Sequence, residues 1–250
     1  MTVVGYDGSF AGFFTAVFEI YEYKIIAPNI TRDAVTNSSL FGNTHLVTTN
    51  ETKASRVYKK LQLVISAKTF KQLYDVYLSE LKDMDNLLLR YIQYALKSKF
   101  VIENDYSNAD VLLIQQTSKK VHREKHRMEA FVRFKLTKDQ LYYATIQPDF
   151  NVLPLICKHF KERYADQRWL IYDVHRKYGL YYDLQTVEEV MLDFSDAATA
   201  PAIFDEDEEI YQQLWQTYFA NVNIKARKNM KLHVQHMPKR YWRYLVEKWG

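Results

Sequence analysis

Glu129-Ala130-Phe131-Val132-Arg133-Phe134-Lys135-Leu136 alternates in period two from Phe131, the pattern of a strand with one buried face. Thr137-Lys138-Asp139-Gln140 follows as a turn, and Tyr142 to Ile146 supplies an antiparallel partner. Downstream, Val152 to Tyr164 reads as a helix. Trp169 to Asp173 and Gly179 to Asp183 then read as a second hairpin. The expected product is a small antiparallel sheet of two hairpins with a helix inserted between them.

Upstream of Met128 the period changes to that of helices. A first strand, Thr2 to Tyr6, leads through the turn Asp7-Gly8-Ser9 into a helix whose Phe10, Phe13, Phe14, Val17, Phe18 and Tyr21 form one apolar face. Ser9 is placed to cap it, because its oxygen can accept from a first-turn N–H. Pro28 to Asn43 reads as a loop, and Thr44 to Thr49 as a strand. Helices follow around Val57 to Ile65, Phe70 to Leu81 and Leu87 to Leu96, and one beginning near Val111 runs into a basic cluster. After the sheet, Ser195 to Pro201 reads as a loop, and helix is expected around Tyr211 to Phe219 and from Pro238. The fold class is therefore α+β: a mainly helical N-terminal half, a small antiparallel sheet in the second half and a helical C-terminus. Residues 1–250 read as one module, and a subdivision would fall near 127/128.

Bulk composition narrows the class. Of 250 residues, 48% are hydrophobic, and only 6 are Gly and 5 Pro, which argues for a packed protein. No apolar run approaches ~20 residues, and the N-terminus lacks a basic region before an apolar stretch, so neither a membrane span nor a secretory signal is expected. The single cysteine, Cys157, has no partner for an internal disulfide and fits a reducing cytoplasm.

Charge is distributed unevenly. Val187 to Ile224 holds no Lys or Arg but contains Glu188, Glu189, Asp193, Asp196 and Asp205-Glu206-Asp207-Glu208-Glu209. The C-terminal stretch reverses sign with Lys225, Arg227, Lys228, Lys231, Lys239, Arg240, Arg243 and Lys248. A second basic cluster is Lys119, Lys120, Arg123, Lys125 and Arg127. Such stripes neutralise phosphates, and Tyr241 and Trp242 beside Lys239, Arg240 and Arg243 are the ring types that stack on bases. The same cations also suit a helix C-terminus or the chain's own acidic run.

Other chemistry-bearing residues have two readings each. Asp7-Gly8-Ser9 at a strand-to-helix turn is an anion-binding candidate or a plain capped turn. Asp7, Asp149, His159 and Asp173 are candidates for acid–base work, with His175, Arg176 and Asp183 nearby, and are equally ordinary turn residues. His122 with His126, and His233 with His236, have helical spacing but not the His-Glu-x-x-His order, and one cysteine cannot build a thiolate cluster, so no metal is expected. No cofactor is expected; the dinucleotide glycine fingerprint is missing, and so are the nucleophile elbow and Cys–His signature of covalent catalysis.

Four segments together resemble one family: Tyr6 to Phe10 with Thr15 to Glu19; His126-Arg127-Met128-Glu129-Ala130-Phe131-Val132-Arg133-Phe134; Pro148-Asp149-Phe150-Asn151-Val152-Leu153-Pro154-Leu155-Ile156 with His159-Phe160; and His236-Met237-Pro238-Lys239-Arg240-Tyr241-Trp242. Trp169 to Asp173 and Arg176 fall between the last two. The chain resembles the DUF4130 family, associated with DNA metabolism and DNA repair. The resemblance implies a DNA-related role beside a radical-SAM protein. Some members carry a fused uracil-DNA glycosylase-like domain, for which a separate chain would serve here. An accessory DNA-binding protein is thus the leading expectation. A DNA-processing enzyme (a nuclease or lesion hydrolase) and a protein-binding module using Asp205 to Glu209 are the alternatives.

Overall fold

A computed structural model of the protein describes residues 1–32, 43–191 and 234–248. The chain divides into two compact units, Met1–His122 and Arg123–Gly250. The expected helix at 211–219, the loop at 195–201, the acidic run Asp205 to Glu209 and the basic residues 225–231 lie outside the described residues.

The first unit opens with β1 (Thr2–Gly5), α1 (Phe10–Glu22), β2 (Pro28–Thr31) and β3 (Asn43–Leu46). Both flanking strands run parallel to β1, giving the order β2-β1-β3. Parallel neighbours need a crossover, which α1 supplies between β1 and β2. The stretch expected as loop from Pro28 therefore begins as a strand. Three further helices follow, α2 (Glu51–Gln62), α3 (Ala67–Leu78) and α4 (Met84–Lys97). The apolar face of α1 packs by aromatic edges: Phe10 lies 4.6 Å from Phe14, 5.1 Å from Tyr74 and 4.7 Å from Tyr77 by ring centroids. Polar ties lock β2 to α4, as Asn86 accepts from the Ile30 N–H at 2.9 Å and Arg32 forks onto Asp85 at 2.9 and 3.2 Å.

Helix α5 (Ala109–Phe131) extends further than the period-two reading allowed. Buried Val111, Ile114, Ser118, Val121, Glu124, Met128 and Val132 recur every three or four residues, so helical packing overrides the short alternation at Phe131. The Val132 N–H still donates to the Met128 carbonyl at 3.1 Å. The strand expected from Phe131 shrinks to β4 (Lys135–Leu136).

The second unit is built on a five-stranded sheet, ordered β4-β5-β6-β7-β8, with β5 (Tyr142–Ile146), β6 (Trp169–Asp173), β7 (Tyr178–Tyr182) and β8 (Val187–Met191). Both expected hairpins form, β4–β5 and β6–β7. They join through a parallel β5–β6 pair, with α6 (Leu153–Arg163) as the crossover. The fifth strand, β8, comes from the start of the acidic region and pairs antiparallel with β7. Its Glu188 and Glu189 are exposed on an outer strand, where charge blunts a free edge. Trp169, Phe160 and Ile171 are buried in this unit's core. Among the described residues no helix is long and apolar enough to cross a membrane.

Candidate nucleic-acid interface

The basic run of α5 contains two kinds of cation. Lys119, Lys120 and Arg123 are exposed and make no ion pair among the described residues; Lys119 reaches only Gln115, at 3.5 Å. They sit two or more turns before the helix end, beyond the reach of the C-terminal dipole, which fades within the last turn. Lys125 and Arg127 are instead half-buried and paired, Lys125 with Glu129 at 2.9 Å and Arg127 with Glu124 at 3.4 Å.

Glu124 is the hub that the basic reading overlooked. Its side chain is 2% exposed. One oxygen accepts the Asp149 N–H at 2.9 Å and the Tyr241 hydroxyl, and the other accepts from Arg240 Nη2 at 3.1 Å and Arg127 Nη1 at 3.4 Å. Arg240 also meets Asp149 Oδ2 at 2.7 Å and donates to the Tyr241 oxygen. Cations from the two basic segments, Arg127 and Arg240, thus do come together, but on a buried carboxylate. Burial would lower the Arg240 value; Tyr241, Glu124 and Asp149 outweigh it and raise it. Burial, and then the Glu124 carboxylate, push the Tyr241 phenol well above its ordinary range.

The C-terminal segment forms a short 3₁₀ helix, Lys239–Tyr244, after Pro238. Tyr241 is 1% exposed, so its ring is not available to stack on a base. Trp242 is half-buried; its indole N–H donates to the Met237 carbonyl at 3.0 Å, and Lys239 and Lys248 ammonium groups lie 5.9 and 5.3 Å from its ring. Tyr244 donates to Gln147 at 2.9 Å. Lys239 and Arg243 remain exposed.

The turn at Asp7-Gly8-Ser9 already holds an anion, the chain's own Asp7 carboxylate. Asp7 accepts from the Ser9 N–H (2.9 Å), the Ser9 hydroxyl (2.7 Å) and the Thr49 hydroxyl (2.7 Å), and Ser9 in turn caps α1 by accepting the Gly12 N–H at 2.9 Å. The Thr49 hydrogen bond, helped by Ser9 and only partly opposed by burial, holds the Asp7 carboxyl below its usual value. Gly8 takes φ +80°, a left-handed conformation that suits glycine.

The remaining candidates have defined partners. Asp173, fully buried, accepts the N–H groups of His175 and Arg176 and pairs with the Arg176 guanidinium at 2.8 Å, closing the β6–β7 turn. Arg176 also donates to the Pro148 and Asp149 carbonyls, fastening loop 147–151 to that hairpin. Asp149 is exposed beside Arg240, and His159 on α6 lies 3.9 Å from Glu129. Asp7 belongs to the other unit. His122 meets the buried Asp75 at 3.0 Å and His126 meets Glu129 at 3.0 Å; His233 lies outside the described residues. Among the described residues no three His, Cys, Asp or Glu side chains gather as a metal site. Cys157 is half-buried, and burial pushes its thiol up.

Glu129 opens onto a cavity of about 770 Å³ between the end of α5, β4–β5 and α6. Phe134, Tyr142, Phe160 and Tyr164 line it, with His159 and Arg163 at the same cavity. Burial works against the Glu129 carboxylate, but the Lys125 hydrogen bond and the charges of Lys125 and His159 prevail and hold it below the usual value. Sequence reasoning passed over Glu124, Glu129 and this aromatic wall. The available signal was two acidic residues embedded in a basic run, at Arg123-Glu124-Lys125 and Met128-Glu129.

Comparison with curated proteins gave no match. Comparison with solved structures gave none either. The model of one family, DUF4130, a domain of unknown function, matches residues 82–247, about two thirds of the chain, from the start of α4 to the C-terminal 3₁₀ segment. The matched stretch carries α5, Glu124, loop 147–151 and the Lys239–Tyr244 helix, and the protein is a member of the DUF4130 family.

Proposed function

We propose that this chain is a cytoplasmic nucleic-acid-binding accessory protein of DNA repair or DNA modification. It works beside a radical-SAM enzyme, with a uracil-DNA glycosylase-like protein as a further partner. The observation that carries the DNA-contact part is the mid-helix trio Lys119, Lys120 and Arg123, exposed and without ion pairs among the described residues. Like charges at i,i+4, as in Lys119 and Arg123, cost a helix about 0.2–0.5 kcal/mol. Helix stability therefore gives no reason for them, whereas a phosphate backbone does. Lys239, Arg243 and the cation-flanked Trp242 form a second contact, with Arg127, Arg240 and Tyr241 acting as the scaffold behind it. The partner assignment rests on the family's association with DNA metabolism.

A salt titration tests this reading. Binding to duplex DNA is measured from low to moderate salt for the natural protein and for the triple variant Lys119→Gln/Lys120→Gln/Arg123→Gln. Removing three phosphate contacts should flatten the plot of log K against log salt by roughly 2–3 in slope. No DNA affinity at low salt, or an unchanged slope in the variant, overturns the proposal. Co-purification with the radical-SAM enzyme, retained after nuclease treatment, tests the partner separately.

A further inference from the structure

We infer that the cavity beside Glu129 is a slot for one nucleotide unit, its base against the aromatic wall and its phosphate at Arg163. The size fits, since about 770 Å³ lies inside the roughly 300–1,000 Å³ span of small-molecule sites. The wall selects a flat ligand. Phe134 stands 5.3 Å from Tyr164 and 5.8 Å from Phe160, and the Phe160 and Tyr164 planes are within 10° of parallel. Phe134 and Tyr164 are only half-buried and leave ring surface for a guest.

Polar groups narrow the class. Glu129 is held ionised by Lys125, His126 and His159, and an ionised carboxylate accepts from N–H groups such as the amino or ring N–H of a base. An acyl chain in the same place would desolvate that carboxylate and return no hydrogen bond. Arg163, exposed at the end of α6, offers a planar guanidinium fork, the geometry that suits a phosphate. An aromatic slot, a carboxylate acceptor and an exposed guanidinium together match a nucleotide, whether free or turned out of a strand.

This inference deepens the nucleic-acid reading but rests on different residues, so the two fail separately. The probe is 2-aminopurine riboside 5′-monophosphate, whose fluorescence is quenched on stacking. The full chain should quench it saturably. Phe134→Leu and Arg163→Ala should each weaken binding about tenfold, the scale of one stacked ring or one phosphate contact. Arg163→Ala should leave the phosphate-free riboside unaffected, and Lys119→Gln/Lys120→Gln/Arg123→Gln should leave the monophosphate unaffected. The absence of saturable quenching, or equal affinity in the natural protein and both cavity variants, overturns the slot. If quenching fails while strand binding still depends on the α5 cations, the slot falls and the interface stands; the reverse pattern removes the interface and keeps the slot. A single-stranded oligonucleotide carrying one 2-aminopurine separates the two ligand sources. Quenching sensitive to Phe134→Leu assigns the slot to an extruded base, and quenching of the free nucleotide alone assigns it to a soluble one.

Discussion

Replacing Glu124 by Ala should markedly destabilise the second unit. The side chain accepts the Asp149 N–H, the Tyr241 hydroxyl and two guanidinium groups. Hydrogen bonds to a charged acceptor contribute about 1.5–3 kcal/mol each, so the first two are worth roughly 3–6 kcal/mol. Arg240 is 41% exposed and keeps Asp149, so screening limits its pair to about 0–1 kcal/mol. The expected loss is about 3–5 kcal/mol, the range for breaking a buried ion pair from one side. Glu124→Gln keeps one acceptor oxygen and Tyr241→Phe removes one donor, so each should cost about 1.5–3 kcal/mol. Urea unfolding followed by tryptophan fluorescence reads this unit selectively, because all 4 tryptophans, Trp169, Trp215, Trp242 and Trp249, lie after Arg123. At a urea slope of about 1–3 kcal/mol/M, the Glu124→Ala midpoint should fall by at least about 1 M. A loss below about 1 kcal/mol, or Gln costing as much as Ala, would refute the hub as described.

Gly12→Ala sets helix propensity against space. A Cβ there would lie 2.2 Å from Asp7 Oδ1 and 2.7 Å from Thr49 Oγ1. The overpacking cost of about 1–3 kcal/mol should exceed the roughly 0.5–1 kcal/mol that alanine normally adds inside a helix, and a raised melting temperature by circular dichroism would contradict this. The Glu129 carboxyl is held below its ordinary value of 4.5, so its contribution is present above that pH and fades as pH falls through the lower folded value. Glu129→Gln should therefore lose less stability than the natural protein between pH 6 and about pH 3 in urea midpoints, and equal losses would remove that role.

Sequence made much of this architecture legible because its signals are local. The α1 face through Phe13, Phe14 and Val17, the Ser9 cap and the β6–β7 hairpin follow from spacing alone; Tyr21, read onto that face, is exposed, and Ile20 is buried instead. What escaped depended on distant partners. The alternation at Phe131 to Leu136 is genuine, yet burial at Met128 and Val132 keeps the chain helical through Phe131. Val187 to Met191 lacks a clean alternation, and it becomes β8 by pairing with the edge of β7 after a turn in which Asp183 accepts the Gln185 and Thr186 N–H groups. Around the candidate site, counting Lys and Arg gave two basic clusters. It could not separate Lys119, Lys120 and Arg123, which face solvent, from Arg127 and Arg240, which close on Glu124. That sorting depends on which side of α5 is covered, a tertiary property.

The parallel seam between β5 and β6 has a consequence for how the chain assembles. The β4–β5 hairpin emerges from the ribosome with one side of β5 lacking its neighbour. That neighbour arrives only after residues 147–168, including all of α6, have been made and laid back over the sheet. Closing such a loop before any cross-strand bond forms is entropically slow. The rate at which the second unit matures should thus follow the docking of α6, through Ile156 and Phe160, more than the closing of either hairpin. Until then β5 is an open template for other nascent chains, a hazard that the finished sheet conceals.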